Sequence, residues 1–424
     1  MKKLNLLVSL FFGLTCVAQE KIILVNEGMW QTDNGRLTYF EDGKIVSNQW
    51  FRDVNGSKLG DTPNDIIQIN DNLIAIALNW SNIVQFISPD GKAVGATEDV
   101  PNNRKLATDG RFVYVASYAH EVGIDGTMLE FEKGYVAKID VSDFKVVDAV
   151  EVGYEPEGIA YYDGHLFVAN SGGYAFQEGH DYESTVSIID AESMQVVRTV
   201  DTGQINLYSK MSQSGRYLCI NSPGDYYTVD AATIIFDCRA ALDDKPDEDC
   251  CVKLDIASTS NCVDTEGNFF AIGSRYSYVS GSYEFNYSVI DPREVFESEG
   301  TSGVENDFPG TVKEDIAAMT MPYSIFVNPY TGYIYATDAG EYTGAGALYQ
   351  WSPRGEFLGK YKTYINPAHF LALNPQEDSG TLGVDSATAP EEASTLYNLQ
   401  GIPVKNPLPG GIYIKNGKKF INRQ

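Results

Sequence analysis

Gly110-Arg-Phe-Val-Tyr-Val-Ala116 is the stretch that decides the fold. A turn residue leads into alternating aromatic and β-branched residues, and the run ends in a small residue. Period-two alternation between turn signals reads as a β-strand. The unit returns as Gly164-His-Leu-Phe-Val-Ala-Asn170, Gly215-Arg-Tyr-Leu-Cys-Ile-Asn221, Gly267-Asn-Phe-Phe-Ala-Ile-Gly273 and Gly332-Tyr-Ile-Tyr-Ala-Thr337. Asn72-Leu-Ile-Ala-Ile-Ala77 and Lys21-Ile-Ile-Leu-Val-Asn26 bring the count to seven. Successive glycines of the five glycine-led runs lie 54, 51, 52 and 65 residues apart. That period suits one four-stranded blade with long loops.

Each run has the same surroundings. A short strand precedes it, opened by a polar or proline-bearing turn: Thr62-Pro63-Asn64-Asp65, Glu155-Pro156-Glu157-Gly158, Met321-Pro322-Tyr323 or Asn366-Pro367-Ala368. A third strand follows and ends near an acid, as in Tyr135-Val-Ala-Lys-Ile-Asp140 and Thr185-Val-Ser-Ile-Ile-Asp190. A fourth comes next, as in Lys145-Val-Val-Asp-Ala-Val150. Long amphipathic helical stretches are absent. The first unit begins at strand two, whereas Pro367-Ala-His-Phe-Leu-Ala-Leu373 is a spare first strand. One blade built from both ends of the repeat region uses it and removes the exposed sheet edges that invite aggregation. The expected fold is therefore all-β: a seven-bladed β-propeller of four-stranded blades, closed by N- and C-terminal strands, with a small C-terminal β-hairpin tail. A pair of β-sandwiches or an open solenoid is the rival.

The ends point to export. Lys2 and Lys3 precede a mostly apolar stretch, 4–14, that is too short to cross a bilayer. Cys16-Val17-Ala18 offers signal peptidase a cut before Gln19. Lipidation of Cys16 is the alternative, with Thr15 a poor residue ahead of it. The expected organisation is a signal peptide over 1–18, a propeller over 19–373, a Gly-, Ser- and acid-rich linker over 374–394 and a tail over 395–424. No later segment is apolar for long enough to span a membrane.

Hydrophobic residues make up 43% of the 424, enough to bury a core, and the formal net charge is −27. Such a field repels nucleic-acid phosphates and anionic lipid, so a nucleic-acid partner is not expected. Cys219, Cys238, Cys250, Cys251 and Cys262 fall in one stretch of the chain. Cys238 and Cys250 or Cys251 bracket an acidic excursion, 240–249, whose base a disulfide can staple. Spacing does not fix the pairing. The excursion has carboxylates for calcium but not the ordered spacing of a calcium loop.

In a propeller, the loops joining strands two and three share a face with the loops that lead into each blade. An aromatic recurs there in every unit: Trp30, Trp80, Tyr118 with His120, Tyr174 with Phe176, Tyr226 with Tyr227, Tyr276 with Tyr278, and Tyr342. Asn79, Asp225 and Arg275 are polar neighbours. Aromatic faces bury apolar area at low entropic cost while amides meet polar substituents. These fourteen residues are the candidate ligand site, suited to a large, flat, amide-bearing molecule. Packing of loops or plugging of the channel is the competing role. His120 and His180 can approach a metal, but solvated loop histidines are commoner. No Gly-x-Ser-x-Gly, His-Glu-x-x-His or phosphate-binding glycine loop occurs, so neither catalytic residue nor resident metal or cofactor is expected.

The tail motifs Tyr397-Asn-Leu-Gln-Gly401, Gly411-Ile-Tyr-Ile414 and Asn416-Gly-Lys-Lys419 resemble the C-terminal sorting signal of Bacteroidetes type IX (Por) secretion. That resemblance implies passage across the outer membrane. Val25-Asn26-Glu27-Gly28, Asn34-Gly-Arg-Leu-Thr-Tyr-Phe40, Pro156-Glu157-Gly158-Ile159 and the repeated strands resemble the YVTN-type surface propellers of Bacteroidetes, over about residues 20–373. Among these, the BtuG-like proteins capture cobalamin for an outer-membrane transporter. The resemblance implies a monomeric, exported or surface-held protein that captures cobalamin or a related corrinoid. BtuG-like proteins are lipid-anchored, and this chain lacks a strong lipobox. A glycan- or protein-binding adhesin and a secreted lactonase or lyase are the other readings.

Overall fold

The computed structural model describes residues 20–120, 132–175, 179–277, 282–298 and 303–374, then 396–397, 403–404, 412–415 and 418–421. The side chains of 274–277, 282–284 and the last four segments are outside the description.

Seven antiparallel four-stranded sheets form a ring, the β-propeller expected from the repeat. Inner strands run in chain order from Pro63–Asn70 in blade 2, through Asn103–Thr108, Pro156–Tyr162, Tyr208–Ser214 and Ser260–Val263, to Pro322–Val327 in blade 7. Blade 1 joins both ends of this unit: Pro367–Ala372 pairs with Lys21–Asn26, Arg36–Glu41 and Lys44–Ser47 follow, and Leu24 lies opposite Phe370. A second unit, Gln376–Gln424, holds four short strands, among them the hairpin of Ile412–Lys415 with Lys418–Ile421.

Burial explains why the repeat is visible in the sequence. Second strands such as Phe112–Ser117 and His165–Asn170 bury five of six residues, because a neighbouring blade covers each of their faces. A strand covered on both faces selects a continuous apolar run. Outer strands such as Lys145–Glu151 and Phe357–Lys362 are mostly exposed and mix charged residues with apolar ones. Seven hydrophobic clusters result, one between each pair of neighbouring blades. Phe326 of blade 7 stacks on Phe370 of blade 1 at 5.0 Å, so the last cluster closes the ring.

A buried carboxylate reinforces that closure. Glu20, just ahead of the first strand, accepts hydrogen bonds from blade 7: Tyr335 Oη at 2.6 Å, Gln350 Nε2 at 2.8 Å, Thr331 Oγ1 at 2.8 Å and Asn328 Nδ2 at 3.2 Å.

The long interval before Gly332 contains two short helices, Pro292–Glu297 and Val312–Ala317. The acidic excursion also folds as two short helices, Cys238–Leu242 and Asp247–Cys250. The disulfide considered for its base is not formed; all five cysteines here are free thiols. Cys250 Sγ instead donates to the carbonyls of Pro246 and Lys245, at 3.3 and 3.5 Å. Arg198 of blade 4 is the staple, donating to Ala241 O at 2.7 Å, Lys245 O at 2.6 Å and Asp247 Oδ1 at 2.8 Å. Asp247 is thereby drawn towards Arg198. Among the described residues no three His, Cys, Asp or Glu side chains form a metal-holding group.

Glu20→Ala should destabilise the protein by about 3 kcal/mol, since it strips four buried donors of one shared acceptor. Urea unfolding followed by tryptophan fluorescence measures this. A change below about 0.5 kcal/mol would remove Glu20 from the closure.

Candidate functional site

The site is built where the inner strands begin. The residue leading into several of them is left-handed: Thr62 (φ 49°), Asn102 (φ 45°), Glu155 (φ 41°) and Asn366 (φ 51°). Such angles are rare outside glycine, most of all for a β-branched residue such as Thr62. These turns bring a polar residue to the second or third position of each following strand: Asn64 and Asp65, Arg104 and Lys105, Glu157, His369. Lys210, Asn261 and Tyr323 hold the same positions in blades 5, 6 and 7. Most of this ring lines a channel cavity of about 620 Å³, together with Glu27, Tyr208 and Tyr342.

The charges of this ring are bonded to one another. Lys210 Nζ donates to Asp65 Oδ1 at 2.6 Å. Blades 2 and 5 stand three positions apart in a ring of seven, so this ion pair bridges the channel. Asp65 Oδ2 also accepts from Leu106 N at 3.0 Å. Burial would raise the Asp65 carboxyl, but the charges of Lys210, Lys105 and His369 overcome it and hold it below the ordinary value. Lys105 Nζ donates to Asn64 O at 2.7 Å. Burial pulls Lys105 down to about 8, against the charges of Asp65, Glu157 and Glu27. His369 Nε2 lies 3.0 Å from Glu27 Oε1, and Tyr323 Oη donates to Glu27 Oε2 at 2.6 Å. Burial and the Lys105 charge hold His369 below its ordinary value.

Arg104, Glu157 and Tyr118 form a second group. Arg104 Nη2 lies 2.6 Å from Glu157 Oε1, the same oxygen to which Tyr118 Oη donates, and the guanidinium sits over the Tyr118 ring. Arg104 Nε and Glu157 Oε2 are buried and take no hydrogen bond among the described residues. One donor and one acceptor are thus left unfilled in side chains that line the cavity.

The fourteen residues expected at the loop face divide into three sets. Trp30 and Trp80 meet edge-to-face at 5.1 Å across blades 1 and 2, with Trp30 half exposed. Tyr226 and Tyr227 are 64% and 91% exposed, and Tyr342 packs edge-to-face on Tyr323 at 5.8 Å. These five present aromatic surface. A second set holds the face together. Tyr118 is buried on Glu157 and meets Tyr174 at 5.6 Å; Tyr174 meets His120 at 5.8 Å. Asn79 is buried, and its amide nitrogen donates to Asn102 Oδ1 at 2.7 Å and Asn103 O at 2.9 Å. Its place is in the blade 2–3 seam rather than on the open face. Asp225 caps its own turn, accepting from the backbone of Thr228, Val229 and Tyr227. The Thr228 hydroxyl and these N–H groups hold its carboxyl below the usual range. The third set lies outside the description: Phe176 and Tyr278 wholly, Arg275 and Tyr276 in their side chains. His180 Nε2 lies 3.1 Å from the buried Glu155 Oε2, and His120 Nε2 lies 3.9 Å from Glu155 Oε1.

A family described as "Domain of unknown function (DUF5074)" matches residues 21–244, more than half of the chain. The chain belongs to the DUF5074 family. A search of curated proteins finds no match. Solved structures similar to this DUF5074 chain include a quinonprotein alcohol dehydrogenase-like protein from Bacteroides thetaiotaomicron, with a TM-score of 0.52 and 10% identity over 84% of this chain and 79% of that one. Hydrazine synthase of Kuenenia stuttgartiensis has a TM-score of 0.51 and 14% identity, over 72% and 88% of the two chains. A functionally unknown protein from Desulfotomaculum acetoxidans has a TM-score of 0.50 and 13% identity, over 84% and 99%. At these identities the likeness is one of fold.

The channel ring of this DUF5074 propeller escapes a search for loop aromatics. Its signal was nonetheless present: Arg104-Lys105 and Lys210 interrupt otherwise ordinary strand starts, at the positions where the other blades carry Asp65, Glu157 and His369.

Lys105 gives the site a pH signature. Its folded value near 8 lies below the unfolded lysine value of about 10.4. Between the two, the unfolded chain binds more protons, so this group adds stability as pH rises. From pH 8 to 9.5, wild type should gain on the order of 1 kcal/mol relative to Lys105→Met in urea unfolding. A gap that stays constant with pH would contradict a lysine lowered by burial.

Proposed function

We propose that this protein is an exported capture protein. Its loop face binds a large, flat, amide-bearing small molecule of the corrinoid (cobalamin) type for hand-over to an outer-membrane transporter. The observation that carries the reading is the pairing of loop-face aromatics with a polar channel mouth. Trp30, Trp80, Tyr226, Tyr227 and Tyr342 offer apolar ring faces on one side of the propeller. The cavity beside them is lined by amide and hydroxyl side chains, among them Asn64, Asn261, Ser209 and Tyr208, which suit a polar substituent such as a carboxamide.

Binding is favoured over catalysis because the charged groups nearest the cavity are committed to each other. A general base or nucleophile needs a reacting atom within reach. Asp65, Lys210, Glu27 and His369 instead face their own partners. The corrinoid is supported by the resemblance to BtuG-like propellers, and export by the resemblance of the tail to the type IX sorting signal. No described helix is long and apolar enough to cross a membrane.

Isothermal titration with cyanocobalamin tests the proposal. The expected result is one-to-one binding at micromolar affinity or tighter, weakened about ten-fold by the double change Trp30→Ala/Trp80→Ala. Absence of heat at micromolar protein sinks the corrinoid. Binding that survives the double change unaltered removes the aromatic face from the account.

A further inference from the structure

Lys105 stands apart among the cations of the channel. Arg104 Nη2 lies 2.6 Å from Glu157 Oε1, and Lys210 Nζ lies 2.6 Å from Asp65 Oδ1. Among the described residues no carboxylate oxygen comes within ion-pair distance of Lys105 Nζ. Its hydrogen bonds both go to Asn64, one to the backbone carbonyl at 2.7 Å and one to the side-chain Oδ1. A neutral primary amine has two N–H bonds and one lone pair. With both N–H groups donated to Asn64, the lone pair is what Lys105 has left to offer. The amine feels the charges of Glu27 in blade 1, Asp65 in blade 2 and Glu157 in blade 4. It therefore stands inside the ring rather than in a seam between two blades, and Lys105 and Asn64 both line the cavity of about 620 Å³. Burial brings the lysine down to about 8. At pH 7 it is then the free amine on the order of a hundred times more often than an ordinary lysine.

We infer that Lys105 captures a neutral, hydroxyl-bearing aldehyde or ketone, entering the channel from the loop face, as a reversible imine. A desolvated lysine amine is a nucleophile towards carbonyl carbon. The Nζ lone pair attacks that carbon, the C=O π pair moves to oxygen, and the oxygen takes the proton that nitrogen gives up. The nitrogen lone pair then expels this oxygen, which leaves as water with the second nitrogen proton. Amine and carbonyl thus become imine and water, with no change in oxidation state. Uptake of one proton from solvent gives the iminium. Its charge sits where Glu27, Asp65 and Glu157 already offset the protonated lysine. The walls set the class of ligand. Those three acids are matched by Arg104, Lys105 and Lys210, so no surplus charge awaits an anion, while Tyr208, Ser209 and Asn261 offer polar groups to hydroxyls. This site does not need the corrinoid reading, since it takes a small carbonyl compound through a covalent bond.

Reductive trapping on the full chain is the test. Glycolaldehyde is added at limiting concentration and pH 7 with cyanoborohydride, whose hydride reduces the iminium carbon and fixes the adduct. Peptide mass spectrometry reads the added hydroxyethyl group at each lysine. The expected result is labelling of Lys105 at least ten-fold faster than of the ion-paired Lys210 or of an exposed lysine such as Lys145. In urea, where the cavity is lost, that preference should vanish. Asn64→Asp sets a carboxylate against Nζ, keeps the amine charged and should slow its labelling ten-fold or more. Label on surface lysines but not on Lys105 overturns the inference, as does labelling of Lys105 at their common rate or a preference that survives in urea. The comparison among lysines is made within the wild-type chain, so it stands even if the variant does not fold. Failure of cyanocobalamin to bind leaves the result untouched, because the probe is a small aldehyde.

Discussion

Every blade of this protein depends on the pairing of Pro367–Ala372 with Lys21–Asn26. A blade buries its faces only against its neighbours, so an open ring leaves two blades half uncovered. Closure adds the seventh inter-blade seam, so that every blade is covered on both faces. Backbone pairing supplies the geometry, the stacked Phe326 and Phe370 supply apolar burial, and Glu20 ties the start of the chain to blade 7. Burying that carboxylate is tolerable because four donors meet it.

Closure also creates the channel and the problem of its walls. Polar side chains at the start of seven converging strands share one narrow space, where unpaired charges would be costly. The solution is mutual: Lys210 answers Asp65 across the channel, Arg104 answers Glu157, and His369 and Tyr323 answer Glu27. The left-handed turns at Thr62, Asn102, Glu155 and Asn366 set these side chains in place. What remains open to a partner is the loop face above them.

The fold was legible because its strongest signal is local. A second strand buried on both sides must be apolar throughout, and Gly164-His-Leu-Phe-Val-Ala-Asn170 shows this without help from distant residues. The missing first strand and spare last strand made ring closure visible too. The site was legible only in part. An exposed aromatic such as Tyr227 and a buried one such as Tyr118 look alike in sequence, because burial depends on a partner 39 residues further on, Glu157. Asn79 was placed on the correct loop, but its amide belongs to the seam with Asn102. The channel ring was missed since its members are united by register, not by residue type. The disulfide failed for a similar reason: Arg198, far from the cysteines in sequence, holds the excursion they bracket.

The ligand is proposed to meet the face formed by the loops between second and third strands. Hydrogen–deuterium exchange, with and without saturating cyanocobalamin, tests it most directly. The expected result is slowed exchange in the loops around residues 27–35, 79–82, 171–175 and 223–230, with the turns at 42–43, 163–164 and 215–216 unchanged. Protection confined to those opposite turns, or spread evenly over the propeller, would contradict it.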